Sequence, residues 1–186
     1  MYPVIRLIKE FVKFRDASPL GLFDTHISHH RCWPWDLDFM MELNNGRTLT
    51  LYDLGRMILA KRQGLLKTLK REGWALTVAG SSVRYRRRVR LFDLLEMRTR
   101  LIGWDDKFFY LEQSMWKGDD CTSHILLRMA MTDKNGLVRT DRTREAIGHS
   151  GDIPALPDWV TAWSEAEALR PWPPMQDAEH HKSNAA

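Results

Sequence analysis

Cysteine is nearly absent: Cys32 and Cys121 stand alone in 186 residues, far apart and outside any Cys-x-x-Cys pair. That excludes a disulfide scaffold and a thiolate zinc site, and it suits reduced thiols in an intracellular, cytoplasmic setting. No apolar run approaches the roughly 20 residues that span a bilayer. No small-residue cleavage site follows the N-terminal segment, so a signal peptide is not expected. Glycine-rich phosphate loops are missing. So is a serine in Gly-x-Ser-x-Gly, which leaves an α/β-hydrolase mechanism unsupported. Charge of one sign is scarce too: 28 basic against 24 acidic residues leave +4, too mild a balance to imply nucleic acid. What is there, 44% hydrophobic and 28% charged residues, fits an ordinary globular domain long enough to bury a core. Eight tryptophans are many for this length, and most are expected to pack.

The first segment places Val4, Ile5, Ile8, Phe11 and Val12 on one helical face, with Arg6, Lys9, Glu10 and Lys13 mainly on the other. Such a helix either covers the domain's own apolar surface or rests weakly on an anionic membrane. A strand follows over "DTHISHHRCWPW", ending near Pro34. Its histidines His26, His29 and His30 lack a second cluster of ligands, so no metal is expected. From Thr50 to about Glu72, leucines and Ile58 recur at helical spacing, cations gather in the second half, and Gly73 follows as a C-cap candidate. This reads as one long helix.

Four β-rich stretches come next: "ALTVAGSSVRYRRRVRL", "LEMRTRLIGWD", "KFFYLEQSMWKGDD" and "CTSHILLRMAMTDKNG". The turn at Asn135-Gly136 leads into a short closing strand. "PDWVTAWSEAEAL" reads as a helix with Pro157 and Asp158 at its start, and an untethered tail follows. The order predicts an α+β fold in which one helix buries its apolar face on a four- or five-stranded antiparallel sheet.

The segment "DLDFMMELNNGRTLTLYDLGRM" resembles the first motif of the hot-dog acyl-CoA thioesterase superfamily, 4-hydroxybenzoyl-CoA thioesterase-like branch. Asp36, Asp38, Asn44 and Asn45 carry that match. "VRYRRRVRLFDLLEMRTRLIGWDDKFFYLE" is similar to the member 6-like group of the same superfamily. Two positions depart from the pattern: Glu42 stands where the family usually has histidine, and Thr48 where it often has tyrosine. The resemblance implies a hot-dog fold, an antiparallel sheet wrapped around one long central helix, with helical extensions at both ends. It divides the chain into an amphipathic segment (residues 1–24), the thioesterase-like domain (25–149) and a C-terminal helix with a flexible tail (150–186).

Thioester hydrolysis needs a nucleophile, or a base for water, and donors aimed at the developing oxyanion. A carboxylate before a helix supplies the first, and the helix N-terminus with its unpaired N–H groups supplies the second. The resemblance implies Asp38 as general base or nucleophile and Asp36 in a supporting role. Asn44 and Asn45 would shape the turn, with backbone donors around Asn45 and Gly46. Asp and Asn before a helix are also common caps.

In "VRYRRRVRL" a strand would put Arg84, Arg86, Arg88 and Arg90 on one face, with Val83, Tyr85, Arg87 and Val89 on the other. Guanidiniums in a row suit the phosphates of CoA, or form a solvated face paired with Glu96, Glu112 and Asp93. His124 is expected to be a satisfied buried histidine, and Trp104, Phe108 and Tyr110 to serve core, acyl pocket or interface. The resemblance implies an acyl-CoA thioesterase without metal or separate cofactor, since CoA is part of the substrate. A homodimer or dimer of dimers is expected. The alternative is a non-catalytic acyl-CoA or lipid-binding protein on the same fold, associated with a membrane.

Overall fold

The computed structural model describes residues 3–174. The tail from Met175 onward lies outside the described residues. The chain divides at Pro154 into two compact units. The first holds helix α1 (Val4–Lys13), strand β1 (His26–Arg31), a short 3-10 turn (Pro34–Asp36), helices α2 (Asn45–Arg62) and α3 (Leu65–Glu72), strands β2 (Ala75–Tyr85), β3 (Leu94–Trp104), β4 (Phe109–Lys117), β5 (Asp120–Asp133) and β6 (Gly136–Val138), and helix α4 (Thr140–Ala146). The second holds α5 (Asp158–Leu169), which starts behind Pro157 as predicted.

The strands form one antiparallel sheet ordered β1-β3-β4-β5-β2, with β6 continuing along β5 from Met131 to Asp133. β1 and β2 are consecutive strands at opposite edges of the sheet. The helical connection between them must therefore cross the sheet's whole face, which is why the sheet wraps it. This is the sheet-around-helix arrangement that the resemblance implied. Burial on α2 is correspondingly broad: Leu51, Tyr52, Leu54, Ile58 and Leu59 are all at most 1% exposed. They pack on the inward residues of β3, β4 and β5, such as Leu95, Met97, Met115, Ile125 and Leu127.

Gly55 lets α2 approach β3 closely, because a Cβ there would lie 2.6 Å from Thr99 Oγ1 and 2.7 Å from Met97 Sδ. Beside it, buried Gln113 donates to Tyr52 O (2.8 Å) and Thr99 Oγ1 (2.9 Å), and accepts from Arg56 (3.0 Å). A polar side chain in the core is thus satisfied on both ends of its amide.

The predicted single helix is two helices. It begins at Asn45, five residues before the leucine periodicity declares it, because Asn44 caps it. It breaks at Gly64, whose φ of +75° suits glycine and stops the ladder. α3 then ends at Gly73 as expected. The cations of the last turn do more than meet the helix dipole: Lys61 donates to Phe14 O (2.8 Å) and Arg62 to Ser18 O (3.0 Å), tying the N-terminal segment down.

α1 is seated the other way round from the core-covering option. Leu7 reaches the core, but Arg6 and Glu10 also face inward, while Val4, Ile5, Ile8 and Val12 are exposed. β1 alternates as a strand should, with His26, Ser28 and His30 inward and His29 outward.

Candidate active site

The motif loop folds into a closed tip. Leu37 and Leu43 bridge its base, Asp38 N donates to Glu42 O (2.8 Å), and Phe39, Met40 and Met41 are presented to solvent. Asp38 is half-buried. Its Oδ1 accepts from Met40 N (2.9 Å) and Glu42 N (3.4 Å), so that oxygen holds its own turn. Its Oδ2 accepts no hydrogen bond among the described residues.

Asp36 is fully buried. One oxygen accepts from Arg6 (2.7 Å) and from Trp33 N (2.9 Å), the other from Arg47 Nη2 (3.0 Å) and Nε (3.2 Å). The buried carboxylate therefore ties α1 and the 3-10 turn to the first turn of α2. Asn44 N donates to Asp36 O (2.9 Å), and Asn44 Oδ1 caps the helix by accepting from Arg47 N (3.2 Å). The N–H groups of Asn45 and Gly46, at the first two helical positions, find no acceptor among the described residues.

A cavity of about 210 Å³ opens at this helix end. Glu42 and Leu43 of the motif loop line it, with Asn45 and Thr48 of α2, residues 85–89 of the arginine run, and Thr122 and Ser123 of β5 as floor. Behind the floor, buried Tyr52 donates its hydroxyl toward Ser123 O (3.0 Å) and lies 2.9 Å from Ser123 Oγ. Burial pushes that phenol well above its ordinary range. Burial also raises the Tyr85 phenol, whose hydroxyl points to Asn45 O at 3.5 Å.

The arginine run departs from the expected stripe. β2 ends at Tyr85, and the N–H groups of Arg86 and Arg87 both donate to Thr122 O (2.8 and 3.1 Å), which breaks the two-residue alternation. Arg84, Arg86, Arg88 and Arg90 consequently share no strand face. Arg84 sits opposite His124 in the sheet and is not in the cavity wall, whereas Arg86, Arg87 and Arg88 are. Arg88 pairs with Glu42 (3.1 Å) and Arg87 with Asp120 (3.6 Å), while Arg86 makes no ion pair among the described residues. The expected partners Glu96 and Glu112 pair elsewhere, with Arg98 and Arg100.

The structure thus gathers Asn45, Tyr85, Arg86 and Arg88 around one cavity, with Asn44 and Gly46 in the adjoining turn. Asp38 stands one tight loop away and Arg84 outside. Sequence reasoning passed over Arg87, because strand parity put it on the wrong face, and it missed Thr122 and Ser123. Nothing local marks those two; pairing of β5 with β2 delivers them.

His124 is not buried: it is half-exposed, 2.9 Å from Glu112. That hydrogen bond, aided by Arg100, pulls the Glu112 carboxyl down to about 2. Trp104 and Tyr110 are buried, and Arg128 stacks over the Phe108 ring. No group of three or more metal-ligating side chains occurs among the described residues. None of the described helices is long and apolar enough to cross a membrane.

The thioesterase-like superfamily model matches residues 32–164. Protein THEM6 of Xenopus laevis is 42% identical over 95 residues, covering 50% of this chain and 46% of that protein. Protein THEM6 of Danio rerio is 36% identical over 102 residues, covering 54% and 50%. The chain spans about half the length of the curated relatives it matches. Among solved structures, the probable thioesterase YbaW from Escherichia coli superposes with a TM-score of 0.62 at 20% identity, over 65% of this chain and 95% of that one. The DHNA-CoA thioesterase from Staphylococcus aureus does so with a TM-score of 0.58 at 15% identity, over 78% and 92%. At these identities the likeness is one of fold, and the fold is the α+β hot-dog fold.

Proposed function

Because the chain belongs to the thioesterase-like superfamily, we propose that it hydrolyses acyl-CoA thioesters. Water adds to the thioester carbonyl, the C–S bond breaks, and a carboxylic acid and the CoA thiol leave. One observation supports this reading: Asn45, at the helix end whose first N–H groups are unfilled, and a cluster of arginines line the same cavity. Thioester hydrolysis asks for donors where charge develops on the carbonyl oxygen. The N–H groups of Asn45 and Gly46 take that role, favoured by the positive end of α2. Arg86, with Arg87 and Arg88, meets the CoA phosphates, for which guanidinium geometry is suited. Asp38 is the acid–base or nucleophilic carboxylate, acting through Oδ2 while Oδ1 holds the loop. Asn44 keeps the turn in register. No resident metal or redox group is needed, and CoA enters with the substrate. With both cysteines free, we propose a reducing, cytoplasmic compartment.

The working unit is a homodimer formed along β2. This strand is a sheet edge 11 residues long, largely exposed, and without a charge or proline from Ala75 to Val83. Edges that must stay unpaired are normally blunted by such residues. β2 ends at Tyr85, so pairing there sets the partner beside the cavity mouth.

A second reading, binding of acyl-CoA without turnover, draws on two engaged carboxylates: Asp38 Oδ1 in its own loop and Glu42 on Arg88. Two variants separate the readings by following free thiol from a panel of acyl-CoAs. Asp38→Asn is expected to lower turnover at least about a hundredfold with the dimer intact, and Glu42→Gln to lower it less than about tenfold. The reverse order would move the catalytic carboxylate to Glu42. Saturable binding without turnover in the unmodified protein would support the binder.

A further inference from the structure

We propose that α1 is a docking face for an anionic lipid bilayer. The helix is amphipathic, yet beside Leu7 it turns Arg6 and Glu10, two of its polar side chains, toward the domain. Arg6 reaches inward to Asp36 and to Arg31 O, and Glu10 is 3% exposed. Two atoms of these side chains, Arg6 Nη1 and Glu10 Oε2, are buried without a hydrogen-bond partner. Buried polar atoms are normally paired, so this seating is a costly one. Meanwhile the apolar stripe faces solvent, with Ile5 85% and Val12 67% exposed, and Val4 and Ile8 more than half exposed. A helix that merely covered the core would sit the other way round.

Charge identifies the occupant. Lys9 and Lys13 are exposed alongside the stripe and Arg31 nearby, while Arg15 is paired with exposed Asp16. Glu10, the one carboxylate of the helix, points inward. A convex aliphatic stripe bordered by lysines matches the boundary between acyl chains and anionic headgroups. The adjoining corner supplies interfacial aromatics. Arg6 binds Arg31 O and Asp36, so the start of α1 lies against residues 31–36. There Trp33 and Trp35 stack at 5.6 Å, and Phe92 meets Trp33 edge-on at 5.9 Å, all three exposed. Indoles with one apolar and one polar side settle at headgroup depth.

The test is flotation of the full chain with phosphatidylcholine vesicles, with and without phosphatidylserine, at low and high salt. The expected result is binding to the anionic vesicles that weakens at high salt and is slight on neutral ones. Ile5→Ser with Ile8→Ser is expected to weaken that binding by about tenfold or more. Lys9→Glu with Lys13→Glu is expected to do the same on anionic vesicles only. These side chains are exposed, so unchanged thermal melts will certify the fold of the variants, and the lysine pair tests the proposal independently should the isoleucine pair fail to fold. Absence of flotation by the unmodified chain would overturn the proposal, as would undiminished binding by either variant. So would a loss of self-association in the isoleucine variant with vesicle binding unchanged, which would make the stripe a contact between two copies.

Discussion

Acid is expected to unfold this protein through His26 and His30, and the size of the effect follows from their surroundings. Both side chains are at most 5% exposed on the inward face of β1. Arg62 donates to His26 Nδ1 (3.2 Å), which requires the neutral ring with its proton on Nε2. His30 lies 2.9 Å from Ser28 Oγ. Burial, then the cations Arg62 and Lys13, lower the His26 pKa to about 4. Burial, then Arg6, Lys13, His26 and His29, lower that of His30 to about 3. The ordinary value is 6.5, so these groups add stability above it that is lost as pH falls. At about pH 5 the unfolded chain has taken both protons and the folded chain almost none, a difference of about 2 kcal/mol per ring. Together that is about 4 kcal/mol, or a Tm lower by roughly 8–16 °C for a chain of this size. Glu10 works in the opposite direction, since burial raises its pKa. The folded state then takes up a proton before the unfolded one does, and part of the loss returns toward its pKa. Urea midpoints measured between about pH 7.5 and about pH 5 will show the loss. His26→Leu or His30→Leu is expected to remove about half of the pH dependence each. A flat profile, or an unaltered slope in a variant carrying both His26→Leu and His30→Leu, would show that these rings do not govern the loss.

Asp36→Asn leaves Arg6 and Arg47 facing a neutral amide in a buried site, and should cost about 3 kcal/mol in urea denaturation. Gly55→Ala drives a methyl toward Thr99 Oγ1, which is already engaged by Gln113, and should cost roughly 1–3 kcal/mol by the same assay. Arg86→Ala with Arg87→Ala should raise KM for acyl-CoA by about tenfold, with less salt dependence, and leave turnover of the matching N-acetylcysteamine thioester unchanged.

The general architecture could be read from periodicity. Leucines at helical spacing before four β-rich stretches put an apolar helix face on an antiparallel sheet, an order that other α+β layers share, and the motif resemblance supplied the wrapping of the sheet around the helix. Asn44 carried the cap signal at the head of α2, and the same signal was compatible with a site; the structure has Asn44 capping at the cavity's edge. Gly64 was harder to see, because leucines continue in helical register across it and only a φ of +75° marks the break. The arginine run misled for a related reason. Alternation predicts faces only while the ladder continues, and Arg86 and Arg87 share one acceptor where it stops. Thr122 and Ser123 reach the site through a register that no local pattern encodes. For α1 the amphipathic pattern was legible and its direction was not, since that depends on what Arg6 finds inside, a carboxylate 30 residues away.

The central claim, that the cavity at the head of α2 hydrolyses acyl-CoA, is tested most directly by free-thiol release from acyl-CoAs of graded chain length. The assay needs the purified full chain, with binding of the same compounds measured in parallel. Saturable turnover of at least one chain length is expected, at substrate concentrations where binding is also seen. Tight binding across the series with no thiol released above the rate in buffer alone would contradict the claim.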